Sequence, residues 1–175
     1  MEFTEKTINS QLIFDGRVVK LYKDKIELPT GQESLREVVK HSGGVVIFAR
    51  KEDKVLLVKQ FRYPMKEVLY ELPAGKLEIG EDPFEAAKRE LEEETGYCAN
   101  KWTDLGYVYT SPGYSDEKLY LYMAEDLEFT HCHPDEGEIL QALEYSYEDV
   151  LKMIANGEIN DAKTLCAIMR AQIKG

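Results

Sequence analysis

The stretch from Ala74 to Tyr97, A-G-K-L-E-I-G-E-D-P-F-E-A-A-K-R-E-L-E-E-E-T-G-Y, constrains the fold more than any other. Its second half is a helix with legible ends. Asp82 is a good N-cap, Pro83 suits the first helical position, and Glu85 completes an Asp-x-x-Glu capping box. Gly96 is placed to end the last turn. Phe84, Ala87 and Leu91, at i, i+3 and i+7, make one apolar stripe. Beside it stand Glu90, Glu93 and Glu94, at i, i+3 and i+4, so their carboxylates share a face.

That face is costly to build. Like charges at i, i+4 destabilise a helix by roughly 0.2–0.5 kcal/mol per pair. The C-terminal end of a helix repels anions by roughly 0.3–1 kcal/mol each. Arg89 is spaced to pair with Glu85 or Glu93, but one arginine does not neutralise such a cluster. A hard divalent ion does, and oxygen ligands are what Mg²⁺ or Mn²⁺ prefer.

Read from Gly75, the segment spells G-x5-E-x7-R-E-L-x-E-E-x-G, filled by Gly75, Glu81, Arg89, Glu90, Leu91, Glu93, Glu94 and Gly96. Every fixed position of the Nudix box is present, and the chain resembles a Nudix hydrolase. The resemblance implies an α/β/α sandwich with a mixed sheet, and metal-dependent cleavage of a nucleoside diphosphate linked to another moiety. It implies that Glu90 and Glu94 are metal ligands, with the backbone carbonyl of Ala74 as a further one. Glu93 would support the site and Arg89 would orient the glutamates. The expected cofactor is Mg²⁺ or Mn²⁺.

The resemblance extends well beyond the box. It includes V-K-Q-F-R-Y-P (Val58 to Pro64), E-L-P-A-G-K-L-E (Glu71 to Glu78) and N-D-A-K-T (Asn160 to Thr164). Pro112, 16 residues past Gly96, stands where a proline looks like the mark of ADP-ribose pyrophosphatases. Hydrolysis of ADP-ribose to AMP and ribose 5-phosphate is therefore expected. Other nucleoside diphosphate sugars, NADH or a damaged nucleotide are the alternative substrates. A non-catalytic nucleotide sensor is the alternative class, but its usual signature is a lost box glutamate, and none is lost here. Arg36 and Arg62 are the cations assigned to the substrate, because a guanidinium fork matches phosphate oxygens. Phe14 and Tyr22 are candidate shelves for the adenine. In related ADP-ribose enzymes a glutamate in the loop before the last strand is the general base. Here that loop reads H-P-D-E-G-E, which leaves Glu136 as the choice and Glu138 as the alternative.

The rest of the chain sets the frame. A chain of 175 residues suits one domain with a small appendage. A net charge of −11 would repel a nucleic-acid backbone, so a small phosphorylated substrate is expected instead. No stretch approaches the length of a membrane span and no signal-peptide core opens the chain. Cys98, Cys132 and Cys166 are scattered and odd in number, which suits a reducing, cytoplasmic setting. His131 and His133 bracket Cys132 with nothing nearby to complete a soft metal set.

Residues 1–40 alternate apolar and polar positions and read as a β meander, with strands over Arg17–Leu28 and Ser34–Lys40 around a turn at Pro29-Thr30-Gly31. Residues 41–175 form the hydrolase domain. Val45–Ala49 and Val55–Val58 are near-continuous apolar runs, as in central strands covered on both faces. Further strands are expected over Trp102–Tyr109, Lys118–Ala124 and Ile139–Tyr145, with an acidic loop between Glu125 and Glu138. Ser146 caps a helix over Tyr147–Ala155, and Asp161 caps another over Ala162–Ile173. The meander carries no helix to cover its apolar face, which points to a homodimer. The resemblance points the same way, since related enzymes exchange this region across a two-fold axis.

Overall fold

The computed structural model describes residues 3–130 and 139–174. The chain divides into two compact units. One comprises Met1–Gly43 with Tyr109–Lys118, the other Gly44–Val108 with Leu119–Gly175.

The first unit is a three-stranded antiparallel sheet, β1 (Lys6–Asp15), β2 (Val19–Glu27) and β3 (Glu33–His41), in that spatial order. Gly31, at φ 82°, closes the β2–β3 hairpin by donating to the Leu28 carbonyl. Its left-handed backbone is one a side chain resists. Every residue of β1 is exposed, including Ile8, Leu12, Ile13 and Phe14. The segment Tyr109–Lys118 joins this sheet through β3. Val39 donates to Tyr114 O at 2.7 Å, Asp116 donates back to Val39 O at 3.2 Å, and Lys40 pairs with the Asp116 carboxylate at 2.8 Å.

The second unit is a mixed sheet between helices. Its strands are β4 (Gly44–Lys51), β5 (Lys54–Arg62), β6 (Glu67–Glu71), β7 (Ala74–Lys76), β8 (Tyr97–Tyr109), β9 (Lys118–Phe129) and β10 (Leu140–Ser146). The main order is β10-β5-β4-β9-β8, with β6 on β5 and β7 on β4. β4 and β9 run parallel, while β5 is antiparallel to β10, β4 and β6. The apolar run of β4 explains its central place. Val45, Ile47 and Ala49 face one cluster with Ala86, Ala87 and Leu91 of α1 (Pro83–Thr95). Val46 and Phe48 face the other, with Val150 and Met153 of α2 (Tyr147–Ala155) and Ala167, Ile168 and Ala171 of α3 (Ala162–Lys174). Period-two alternation thus feeds both cores, and the result is the α/β/α sandwich expected.

One irregularity of this sheet prepares the site. β4 pairs with β5 only at Arg50 and Lys51, beside their hairpin. Over Gly44–Val46 it pairs with β7 instead, and Ile47 donates to Pro73 O at 2.8 Å. The short strand Ala74–Lys76 is thereby wedged against the centre of the sheet, directly under α1.

Some bounds differ from those expected. β8 starts at Tyr97, immediately after the Gly96 cap, because the chain enters the strand with no intervening loop. β9 runs to Phe129, so the first part of the expected acidic loop is strand. Asp82 caps α1 by accepting from Phe84 and Glu85 N–H, but Glu85 does not reach back to close the box. Its carboxylate pairs with Lys88 at 2.8 Å.

Candidate active site

The C-terminal half of α1 rests on the Ala74–Gly75 backbone. Glu90 and Glu94 are among the few charged residues of the described chain that are buried, at 8% and 4% exposed. The Glu94 carboxylate accepts the Ala74 N–H at 2.9 Å. The Glu90 carboxylate occupies the place where a side chain on Gly75 would be. A Cβ there would fall 1.8 Å from the Glu90 carboxyl carbon. Any side chain at position 75 would have to push the Glu90 carboxylate aside, and the two carboxylates converge on one dipeptide. Gly96 serves the other end of the helix, at φ 76°, donating to Glu92 O.

Arg89 ties the acidic face together. Its Nε and Nη2 donate to the two oxygens of Glu81 at 3.0 and 3.1 Å. Nη1 donates to Glu90 at 2.9 Å and to Glu93 at 2.8 Å. Of the two partners open to Arg89 by spacing, Glu93 is taken and Glu85 is not, because Lys88 holds it. The hydrogen bonds it donates to Glu81 raise the Arg89 pKa, and the charge of Glu90 and the hydrogen bonds to Glu93 and Glu90 add to this against an opposing effect of burial. Glu81 is correspondingly held below the usual carboxylate range, chiefly by Arg89. It also accepts the Glu78 N–H at 2.9 Å, which fixes the loop leading into α1.

The donor set fits a hard divalent cation. Two buried carboxylates and the Ala74 backbone offer oxygen alone. Among the described residues no three His, Cys, Asp or Glu side chains form a ready cluster.

Arg62, at the end of β5, is engaged by a carboxylate the sequence reading left without a role. Its Nε and Nη2 donate to both oxygens of Glu71 at 2.7 Å. Glu71 is 2% exposed and is also paired with Lys163. Burial pushes its carboxyl up, but Arg62 and Lys163 outweigh this and hold it below the usual value. Lys163 in turn pairs with Asp161 at 3.0 Å. Thr164, fully buried, accepts the Leu72 N–H at 2.9 Å and donates to Asp161 at 2.7 Å. These residues belong to stretches the resemblance had marked, around Glu71 and in Asn160–Thr164. Their pairing across 92 positions has no local signal in the chain.

Arg36 lies on β3 in the first unit and is paired with Glu5. Pro112 is exposed, in a turn where Ser111 O accepts from Tyr114 and Ser115. Phe14 is exposed, and Tyr22 is half-buried. Glu136 and Glu138, the two candidates for the base, lie outside the described residues, as do His131, Cys132 and His133.

Two buried carboxylates on one helix, seated on the Ala74–Gly75 strand beside a sandwich sheet, are the arrangement expected of a metal-dependent hydrolase. Comparison with known proteins makes the class specific. Residues 40–168 match the NUDIX domain, and residues 5–39 match the nucleoside diphosphate sugar hydrolase N-terminal domain. The chain belongs to the Nudix hydrolases, a family generally dependent on divalent metal. It is 47% identical over 173 residues to an ADP-ribose pyrophosphatase of Bacillus subtilis, covering 97% of this chain and 94% of that one. It is 44% identical to a methanol dehydrogenase activator of Bacillus methanolicus, covering 98% and 95%. An ADP-ribose pyrophosphatase of Mycobacterium tuberculosis is 32% identical, covering 94% and 81%. The crystal structure of an ADP compounds hydrolase superposes with a TM-score of 0.87 over 98% of this chain and 95% of its own, at 21% identity, a likeness of fold.

Proposed function

We propose that this protein hydrolyses the pyrophosphate of ADP-ribose to AMP and ribose 5-phosphate. The observation that carries the reading is the 47% identity to an ADP-ribose pyrophosphatase across both units, together with a complete box. Water adds to one phosphorus, the bridging P–O bond breaks, and the two phosphate monoesters leave. Glu90, Glu94 and the Ala74 carbonyl would hold Mg²⁺ or Mn²⁺. Such an ion neutralises charge on the phosphate oxygens and lowers the pKa of water. Arg89 holds Glu90 and Glu93 in place, and Arg62 presents its guanidinium to phosphate. Glu136, or Glu138 in its stead, takes the proton from the attacking water. Arg36 and Pro112 are assigned to the substrate on the resemblance alone.

In this reading residues 1–40 are an appendage for dimerisation and substrate binding, and residues 41–175 the hydrolase domain. The protein acts as a homodimer in the cytoplasm, on a small nucleotide and not on nucleic acid or membrane. The exposed apolar side chains of β1 support the dimer. The free thiols of Cys98 and Cys166 support the compartment, and no helix among the described residues is long and apolar enough to cross a membrane.

A panel of ADP-ribose, other nucleoside diphosphate sugars, NADH and oxidised nucleotides, assayed with Mg²⁺ for AMP and phosphate monoesters, tests the substrate. Preference for ADP-ribose by kcat/KM is expected; a higher value for another substrate overturns the assignment. The relative named as a methanol dehydrogenase activator favours a second reading, in which the protein also stimulates a dehydrogenase. Adding the protein to a purified alcohol dehydrogenase, with and without an intact box, tests that reading.

A further inference from the structure

Arg62 stands between two carboxylates with different tasks. Glu71 binds it through two parallel hydrogen bonds of 2.7 Å. Glu94 accepts the N–H of Ala74, three residues along the chain from Glu71, and its negative charge acts on the same guanidinium. A cation settled on Glu94 would compete directly with a divalent metal for that carboxylate. It would also turn the arginine away from a phosphate. Glu71 prevents both if it is fixed more firmly than Glu94 can pull.

The surroundings of Glu71 supply that firmness. It is 2% exposed and shared with Lys163, whose ammonium is anchored to Asp161 at 3.0 Å. The backbone next to it is pinned by Thr164, which accepts the Leu72 N–H and is itself held by Asp161 through both its hydroxyl and its N–H. Arg62 and Lys163 balance Glu71 and Asp161, so the cluster is neutral and its members have little reason to leave. A bidentate pair fixes the plane of the guanidinium as well as its position. With one N–H each of Nε and Nη2 engaged, the remaining donors on Nη1 and Nη2 are presented in set directions.

We propose that Glu71 is a positioning residue for the hydrolysis, holding Arg62 off the metal-binding carboxylate Glu94 and aiming it at phosphate, with Asp161, Lys163 and Thr164 at the start of α3 as its support. The inference rests on the reading of Glu90 and Glu94 as metal ligands. It assigns a role to Glu71 and to the Asn160–Thr164 stretch that the chemistry of the box leaves unused.

Mn²⁺ binding by the full-length protein, followed by the electron paramagnetic resonance of free Mn²⁺ without substrate, separates the possibilities. Glu71→Gln keeps the shape of the side chain and removes the charge that holds Arg62. Its Mn²⁺ affinity is expected to fall about 10-fold, within the range for residues that orient ligands. Arg62→Met alone should bind Mn²⁺ about as the wild type does. The double variant Glu71→Gln/Arg62→Met should regain the affinity of Arg62→Met, because the competing cation is gone. A double variant as weak as Glu71→Gln would mean that Glu71 acts through general structure, and would overturn the proposal. So would undiminished binding by Glu71→Gln. If Glu71→Gln does not fold, Lys163→Met loosens Glu71 from the other side and should weaken Mn²⁺ binding, reversed by Arg62→Met. Glu94→Gln is the control on the underlying site. If it binds Mn²⁺ normally, the ligand assignment itself has failed, whatever the other variants do.

Discussion

At position 75 a single hydrogen in place of a methyl leaves room for the Glu90 carboxylate. The Glu90 carboxylate fills the space where a Cβ would stand, and a real Cβ is never found at 1.8 Å from a carbon outside its own bonds. Gly75→Ala should therefore fold, since α1 and both cores are untouched, but expel Glu90 from its seat. Displacement of a reacting group by about 1 Å costs on the order of 100-fold. We expect kcat/KM to fall by at least that much and the Mg²⁺ concentration for half-activation to rise, in a titration of rate against Mg²⁺. Activity within threefold of wild type would contradict the packing argument. The general base calls for a different readout. Glu136→Gln should lower kcat with little change in KM, because a base acts mainly in the transition state. A large loss in Glu138→Gln with little in Glu136→Gln would move the role to Glu138. The box residues were legible because their spacing is confined to one short stretch, α1 and the segment that leads into it. The partners of Arg62 were not, because an ion pair between residues 71 and 163 leaves no trace in either neighbourhood.

Elements of this fold are stitched by charges as well as by cores. Glu144 on β10 accepts from Lys54 on β5 and Lys51 on β4, and from the Tyr97 hydroxyl at the start of β8. The bonds from Lys54, Tyr97 and Lys51, against the opposing effect of burial, bring its pKa down from 4.5 to about 2. A carboxylate whose folded pKa lies below its unfolded one stabilises the fold above the unfolded value. That contribution fades as pH falls from about 4.5 towards 2. Glu144→Gln should thus be less stable than wild type in urea at about pH 6, and the gap should close as the pH approaches 2. A gap that stayed constant over this range would show that the carboxylate charge is not what holds the strands. The helices were readable because caps and stripes are short-range signals. Asp82, Ser146 and the apolar faces of α1, α2 and α3 all act within two turns. The strand β7 was not read at all. Three residues carry no period, and only the gap that β5 leaves beside β4 makes them a strand.

For the whole molecule, the first unit poses the question of what covers it. Ile8, Leu12, Ile13 and Phe14 on β1 and Leu35 on β3 are all exposed. A three-stranded sheet with this many exposed apolar side chains is marginal in water by itself. A self-complementary contact between two copies, of the isologous kind, would bury them. The protein is expected to sediment as a dimer at micromolar concentration. Leu12→Glu/Phe14→Glu should shift it to monomer and lower ADP-ribose hydrolysis together, as sedimentation velocity and an AMP assay on the same sample would read. A wild-type protein that is monomeric and fully active excludes the scheme.

What the chain determines by itself is what neighbours in sequence can settle. The caps of α1 and α2, the two-sided strands β4 and β5, the meander and the carboxylate spacing of the box all follow from contacts within a few residues. Tertiary structure decided where those pieces meet. It seated Glu90 on Gly75 and Glu94 on Ala74, gave Arg62 to Glu71, locked that pair with the start of α3, and attached Tyr109–Lys118 to β3. Each of these joins distant segments through a few polar bonds or one close approach. Such bonds form where the chain has already been brought together by its cores, so no residue type or spacing announces them beforehand.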